Sequence, residues 1–444
     1  MLNLSLKFLP FFPRIKRIII AYSGGLDSHV LLHVIAAMRA GPIGCECIAL
    51  HINHGLSEKA GQWAAHCARQ CEALNIPFAN INVDAKSNAG ESPEAVARAV
   101  RYQAFREFMQ PGDCLLTAHH QDDQAETLLI QLLRGAGPRG LAAMPGYSDF
   151  AEGWHARPLL NFSRDELHEY AQQIVVQNKQ SSWIEDGSNS DTRFDRNFLR
   201  HEIMPKLKSR FPGMATTLSR SASLCAEAAG LLVSVAADDL QQAAGNDGVF
   251  SVTGLRALGE VRARNLLHQC CRDRGLPTPS AAQLQCVWNE VIGASEDREP
   301  VVSWAGGEVR RYRDALFIDV PLSPHDATLS FSWNGQEMLS IPGLGRLHGE
   351  SVTGQGIALW ALEGQPLAIR FRRGGEKLRP VGRTGHHALK KLFQEAGIPP
   401  WLRERIPLLY ADGQLLAVAG QWVAHEAATQ PGEEGVCLRW LPSG

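Results

Sequence analysis

The sequence predicts an α/β protein: a doubly wound parallel sheet at the N-terminus, then a mostly helical middle region, then a small β-rich C-terminal region. Three observations carry this. Short β-branched runs alternate with helical patterns over the first third, the composition turns Ala- and Leu-rich after Pro212 and Gly213, and short apolar runs separated by Gly and Pro follow residue 323. The 444 residues are about three times the ~150 expected of one domain, and these shifts divide them into 1–213, 214–322 and 323–444.

Taken in order, RIIIA at 17–21 is the short apolar run of a buried parallel strand, and a helix follows over 28–39. Strands are expected at 45–52, 78–83 and 114–118. Helices are expected at 62–74, after Ser92 as N-cap with Pro93 in the first turn, and at 122–134, closed by Gly135. The last of these places apolar residues at 125, 128, 129, 132 and 133. Residues 214–244, 254–274 and 281–293 have helical periodicity, and PLSP at 321–324 reads as a linker.

Composition excludes several classes. With 45% hydrophobic and 20% charged residues the chain can build cores and is not a disordered polyampholyte. No uninterrupted apolar run reaches the ~18 residues of a membrane helix. The apolar start is broken by Lys7, Pro10 and Pro13 and carries its basic cluster (Arg14, Lys16, Arg17) after the apolar part, the reverse of a signal peptide. Ten cysteines without a CxxC pair predict reduced, mostly buried thiols in a cytoplasmic protein. The net charge of -2 argues against a uniformly basic nucleic-acid coat.

The strongest local signal is IIIAYSGGLDS at 18–28, a strand, a Gly-rich turn and a helix start. Such a turn aims backbone N–H groups and a helix dipole at a phosphate. Gly24 and Gly25 permit positive φ and close backbone approach, and Ser23 and Ser28 offer hydroxyl donors. Asp27 would repel a phosphate directly, so its carboxylate is assigned to Mg²⁺. No Gly-Lys-Ser/Thr follows, which excludes a Walker A loop. The stretch resembles the SGGxDS loop of the PP-loop ATP pyrophosphatases, and that resemblance implies ATP cleavage to AMP and pyrophosphate, with Ser23, Gly24, Gly25, Leu26, Asp27 and Ser28 around the nucleotide.

Two further strand ends add polar groups at the edge where ligands bind in parallel sheets. His51 and His54 are three apart; a zinc pair would need more ligands, so they read as polar residues beside a nucleotide. Asp123 and Glu126 share one face of a new helix and could hold Mg²⁺ or a substrate ammonium, although acidic residues there also stabilise a helix through its dipole.

HINHGLS at 51–57, HHQDDQAET at 119–127, RGAGPRGLAAM at 134–144, RPLL at 157–160, IEDGSNSDTRFDRNFLRHEIMPKL at 184–207 and the stretch 371–410 together resemble the tRNA(Ile)-lysidine synthetases, in order along the chain. The resemblance implies an ATP-dependent ligase acting on the CAU-anticodon isoleucine tRNA. ATP adenylates the wobble cytidine at C2, through its O2, and the side-chain amine of L-lysine displaces AMP to leave lysidine. It implies that Asp123 and Glu126 bind lysine and that Arg101, in VRYQAF, and Arg196, in DRN, line the site. Another PP-loop enzyme, such as a cluster-bearing thiolase, would need paired cysteines, and a catalytically silent tRNA-binding protein would have no use for Asp27, Asp123 and Glu126 together.

The near-zero net charge conceals a local excess. Between Arg370 and Arg405 ten Lys/Arg face three Asp/Glu, a local +7 that leaves -9 for the rest. The patch mixes Arg370, Arg372, Arg373, Lys377, Arg379, Arg383, Lys390 and Lys391 with Gly, His and Trp401, a composition suited to RNA, and the family likeness implies that it grips the tRNA body. Such an enzyme is compatible with a monomer or a homodimer and needs no membrane.

Overall fold

The computed structural model describes residues 14–39, 45–55, 59–86, 93–177, 182–185, 191–245, 249–295, 298–335 and 337–442. Ser92, Leu56, Ser57 and residues 186–190 of the long motif lie outside them. The chain divides into two compact units, 1–235 and 236–444.

The first unit is built on β1 (Arg17–Ala21), α1 (Leu26–Arg39), β2 (Glu46–Asn53), α2 (Ala60–Ala73), β3 (Phe78–Asn82), α3 (Pro93–Phe108), β4 (Asp113–Leu116) and α4 (Gln121–Leu133). After these come α5 (Pro138–Leu141), β5 (Tyr147–Phe150), β6 (Gly153–Ala156), α6 (Arg164–Gln177), α7 (Asp195–Phe198) and α8 (Met204–Arg210), with a π-helical turn, Leu199–Ile203, between the last two. The sheet order is β3-β2-β1-β4-β6-β5, parallel throughout except for β5, which pairs antiparallel with β6. The predicted parallel sheet therefore ends in an antiparallel edge.

Alternation along β1 explains why the sheet is covered twice. Ile18 and Ile20 point into a core with Leu31 and Ile35 of α1, Cys67 of α2 and Leu167 of α6; Ile19 points the other way, to Phe105 of α3 and Leu115 of β4. All three isoleucines are fully buried, each worth ~1.5–3 kcal/mol of transfer free energy. The order reverses between β1 and β4, so the loops after these strands diverge and open the crevice in which such sheets bind ligands. In α4, Ala125 and Leu128 are buried as predicted, but Leu132 and Leu133 are exposed at its far end. The helix stops there because Gly135 turns the chain at φ +70°.

The middle region is helical, as its composition predicts, with two interruptions and one addition. A long helix, α9 (Met214–Ala243), comes first; Met214 and Leu218 at its start pack on Ala125 and Met204. After β7 (Phe250–Ser251), the predicted helix at 254–274 is two, α10 (Val252–Leu258) and α11 (Glu260–Asp273), because Gly259 sits at φ +79°. The third is α12 (Ala281–Cys286) continued by a π-helical turn, Val287–Ile292. Beyond it β8 (Val301–Trp304), β9 (Gly307–Tyr312) and β10 (Ala315–Asp319) form an antiparallel sheet in the order β7-β10-β9-β8, which the sequence reading did not foresee.

By length and composition α9 could cross a membrane. It nonetheless carries Arg220 and Glu227, and its fully buried Asp239 is ion-paired to Arg262 of α11.

The C-terminal region starts with β11 (Ser330–Trp333), β12 (Leu339–Ile341), β13 (Gly345–Thr353), β14 (Ile357–Ala358), α13 (Leu359–Leu362) and β15 (Leu367–Arg370). It continues with β16 (Lys377–Leu378), β17 (His387–Ala388), α14 (Leu389–Glu395), α15 (Pro400–Arg403), β18 (Leu408–Ala411), β19 (Gln414–Val418), β20 (Trp422–Val423) and β21 (Glu434–Pro442). Two antiparallel sheets, β11-β15-β18-β19-β20 and β12-β13-β21-β14, close over one core that includes Phe371, Leu389, Phe393 and Leu408.

Candidate functional site

The Gly-rich turn leaves β1 at its carboxyl end and enters α1. Gly24 has φ +85°, and a Cβ there would meet Ile184 Cδ1 at 2.7 Å and Cys67 Sγ at 2.9 Å, so only glycine fits. Gly25 differs from its expectation: its φ is not positive, and a Cβ would touch only Ser23 Oγ, at 3.6 Å. Ser28 donates to the Gly25 carbonyl at 2.9 Å and shares a 3.0 Å hydroxyl pair with Ser23, so the serines brace the loop from within. Leu26 turns its side chain toward the core, leaving its backbone N–H as the group it can offer. Asp27 lies in the first turn of α1, and its Oδ1 is buried with no hydrogen-bond partner among the described residues. A cation fits this orphaned oxygen.

The two histidines after β2 hold different things. His51 is buried and its Nδ1 meets the Tyr22 carbonyl at 2.9 Å, which fixes the start of the turn; burial lowers its pKa, so the ring is a neutral donor there. His54 accepts from Arg101 Nε at 3.2 Å, and burial together with that guanidinium pushes it down to about 4. Arg101 is thus placed against His54. Among the described residues no group of three or more His, Cys, Asp or Glu lies close enough to hold a metal ion.

The loop after β4 carries the densest charge. His120 caps α4: its ring accepts from the Asp123 N–H while Asp123 Oδ2 accepts from the His120 N–H at 3.1 Å, a reciprocal capping box. Asp123 Oδ1 accepts from Arg196 at 2.9 Å and Arg200 at 2.8 Å. Glu126, nearly fully buried, accepts from Arg196 Nε at 3.0 Å and from Arg200 Nε at 2.7 Å. Burial would raise the Asp123 carboxyl, but His120, Arg196 and the neighbouring cations outweigh it and hold it below the usual carboxylate range. His120 lies between the two loops, its Nε2 3.4 Å from Asp123 Oδ2 and 3.7 Å from Asp27 Oδ2. Burial lowers its pKa and these carboxylates raise it, with a net rise.

Behind the quartet of Asp123, Glu126, Arg196 and Arg200, Thr117 Oγ1 lies 2.8 Å from both His119 Nδ1 and His155 Nε2, and His155 meets Arg157, whose other amine donates to the Pro145 carbonyl. Burial pushes His119 to about 3 and His155 to about 2, so both rings stay neutral.

The C-terminal cations are of two kinds. Lys377, Lys390 and Lys391 are exposed, and among the described residues none of them forms an ion pair within 4 Å. Others are engaged: Arg373 donates to the carbonyls of Ala327 and Thr328, Arg379 and Arg383 pair with Glu426 and Glu395, and Arg370 lies over the Tyr410 ring. Arg372 is half-buried, with Nε unpartnered among the described residues. Trp401 departs from its expected role on the surface, because it packs edge-on against Tyr312 and Phe317 with Arg310 over its face. Arg403 is buried against the Tyr312 hydroxyl and Arg405 pins the Ser323 carbonyl, so these two also serve the fold.

Family models match in three places: a PP-loop domain over residues 4–207, a TilS substrate binding domain over 250–317 and a TilS substrate C-terminal domain over 367–440. The chain is 44% identical to a tRNA(Ile)-lysidine synthase of Methylococcus capsulatus over 95% of its length and 96% of the relative's. The chain belongs to the tRNA(Ile)-lysidine synthase family. A Coxiella burnetii tRNA(Ile)-lysidine synthase is 42% identical over 97% of this chain and 94% of that one.

Within this tRNA(Ile)-lysidine synthase framework the structure brings Asp27, Asp123, Glu126 and Arg196 to one crevice and sets Arg101 with His54. Sequence reasoning missed Arg200. Its signal was present: Arg196 and Arg200 are four apart in a helical stretch, the spacing that puts two guanidiniums on one face to answer two carboxylates three apart.

Proposed function

We propose that this member of the tRNA(Ile)-lysidine synthases joins L-lysine to the wobble cytidine of the CAU-anticodon isoleucine tRNA at the expense of ATP. The cytosine O2 attacks the α-phosphorus and pyrophosphate leaves; the lysine ε-amine then attacks C2, AMP leaves with that oxygen, and a proton is lost from the amine. The observation that carries this is His120, which lies within 4 Å of both Asp27 of the Gly-rich turn and Asp123 of the acidic pair, an arrangement that supports two half-reactions in one crevice.

The turn at 23–28 would cradle the phosphates with its backbone, and the open Oδ1 of Asp27 would hold Mg²⁺, which would supply charge neutralisation on the pyrophosphate. His51 and His54 shape the nucleotide side, with Arg101 on His54. Asp123 and Glu126 take the lysine ammonium. With Arg196 and Arg200 they form a set of two carboxylates and two guanidiniums with no net charge, so an ammonium can bind the acids while the guanidiniums turn to phosphate or to the lysine carboxylate without a charge imbalance. Residues 1–213 perform the chemistry, and 214–322 and 323–444 bind the tRNA, with Arg370, Arg372, Arg373, Lys377, Arg379, Arg383, Lys390 and Lys391 on the last. Ten free thiols accord with a cytoplasmic location.

The test is transfer of labelled lysine to that tRNA by the purified protein, dependent on ATP and Mg²⁺, against the methionine tRNA that shares the anticodon. Transfer to the isoleucine tRNA alone is expected. ATP turnover with no lysine on tRNA overturns the reading.

A further inference from the structure

We infer that a cleft in the C-terminal region binds one unpaired nucleotide of the tRNA, its base against Trp360 and its phosphate on Lys377 and Arg379. This rests on the reading that the chain binds tRNA. The cleft has a volume of about 120 Å³, and its walls include Trp360, Lys377, Arg379, His386, Gln414 and Glu426.

Trp360 is the feature that the fold does not explain. It stands on α13 with 62% of its surface in water, whereas Trp304 and Trp333 are buried and donate their indole N–H groups to backbone carbonyls. An indole face kept in water beside cations offers stacking to a base and attraction to a phosphate at once. Lys377 on β16 is exposed and outside any ion pair among the described residues. Arg379 leans on Glu426 at 3.6 Å, and its Nε is buried without a hydrogen-bond partner among the described residues. Gln414 adds an amide able to meet a base edge. Base pairs inside a helix are stacked on one another and cannot lay a face on an indole, so the occupant is an unpaired nucleotide.

The experiment compares the binding of the isoleucine tRNA and of a blunt RNA duplex to the full chain and to Trp360→Ala, Trp360→Phe and Lys377→Ala. Trp360→Ala should weaken tRNA binding by roughly five- to a hundredfold, the span of one stacked base, and leave duplex binding unchanged. Trp360→Phe should retain most of the affinity, and Lys377→Ala should lower the salt dependence by about one counterion. Unchanged tRNA binding by Trp360→Ala, or an equal loss on tRNA and duplex, overturns this inference while leaving the tRNA reading in place. Failure of the unaltered chain to bind tRNA overturns both.

Discussion

In the N-terminal region Asp123 and Glu126 are buried against arginines, whereas three lysines of the C-terminal region stand in water. Asp123 and Glu126 are nearly enclosed and each meets two guanidiniums; Lys377, Lys390 and Lys391 are exposed and outside ion pairs among the described residues. Buried charges exact a penalty when a partner is lost and hold a fixed geometry, while exposed ones contribute little to stability and act through counterion release. The two regions should therefore fail in different ways.

The largest effect is expected at the quartet. Arg200→Ala leaves Glu126 buried with one partner fewer and should cost ~3–5 kcal/mol of stability, read from urea denaturation, with part restored by Glu126→Gln in the same chain. Equal stability of the single and double variants would break the contrast. Next is the phosphate turn: Gly24→Ala forces a Cβ into Ile184 and Cys67 at positive φ and should cost ~1–3 kcal/mol, while Gly25→Ala should cost less than ~1 kcal/mol. Melting temperatures and ATP binding of the pair check this.

Acid should also act on the N-terminal region first. Burial pushes His29 down to about 3 and His33 to about 4, so below an ordinary histidine value near ~6.5 the unfolded chain takes up protons that the folded one does not. Stability should fall as pH drops from there, by up to ~1.4 kcal/mol per pH unit for each histidine. The depressed Asp123 adds loss in the same direction at lower pH, while His120, raised by its carboxylates, contributes below its ordinary value and loses that contribution as pH rises. Urea midpoints across the acid range measure the slope; a flat profile would contradict the buried, neutral rings. Smallest in stability is the C-terminal prediction: Lys377→Ala, Lys390→Ala and Lys391→Ala together should leave the melting temperature within experimental scatter and lower the salt slope of tRNA binding by about one per lysine.

Much of the first unit was legible because its strands are uninterrupted apolar runs and its turns carry Gly, and each predicted strand lies within two residues of an observed one. The β5–β6 hairpin was not, since YSDF and GWHA mix polar and small residues that gain strand structure only by pairing with each other and with β4. Likewise 301–319 has β-branched residues and a Gly turn at 306, yet reads as a tail to the helices until β10 finds β7 some 65 residues upstream. In the site, the motif positions were legible by type, but the Arg196 and Arg200 bonds to Asp123 and Glu126 span 70 to 77 residues of sequence and depend on the fold. The local +7 overstated the binding surface for the converse reason: Arg403 and Arg405 count as charge in the sequence and are consumed by carbonyl and hydroxyl partners in the structure.

The division between buried chemistry and exposed binding is tested most directly by steady-state lysine transfer as a function of tRNA concentration. Asp27→Asn should lower kcat by roughly 10²–10³-fold, the scale of one lost electrostatic contact to the reacting phosphates, with KM for tRNA little changed. The triple lysine variant should raise KM with kcat nearly intact. The same KM change in both variants, or a kcat collapse in the lysine variant, would contradict the account.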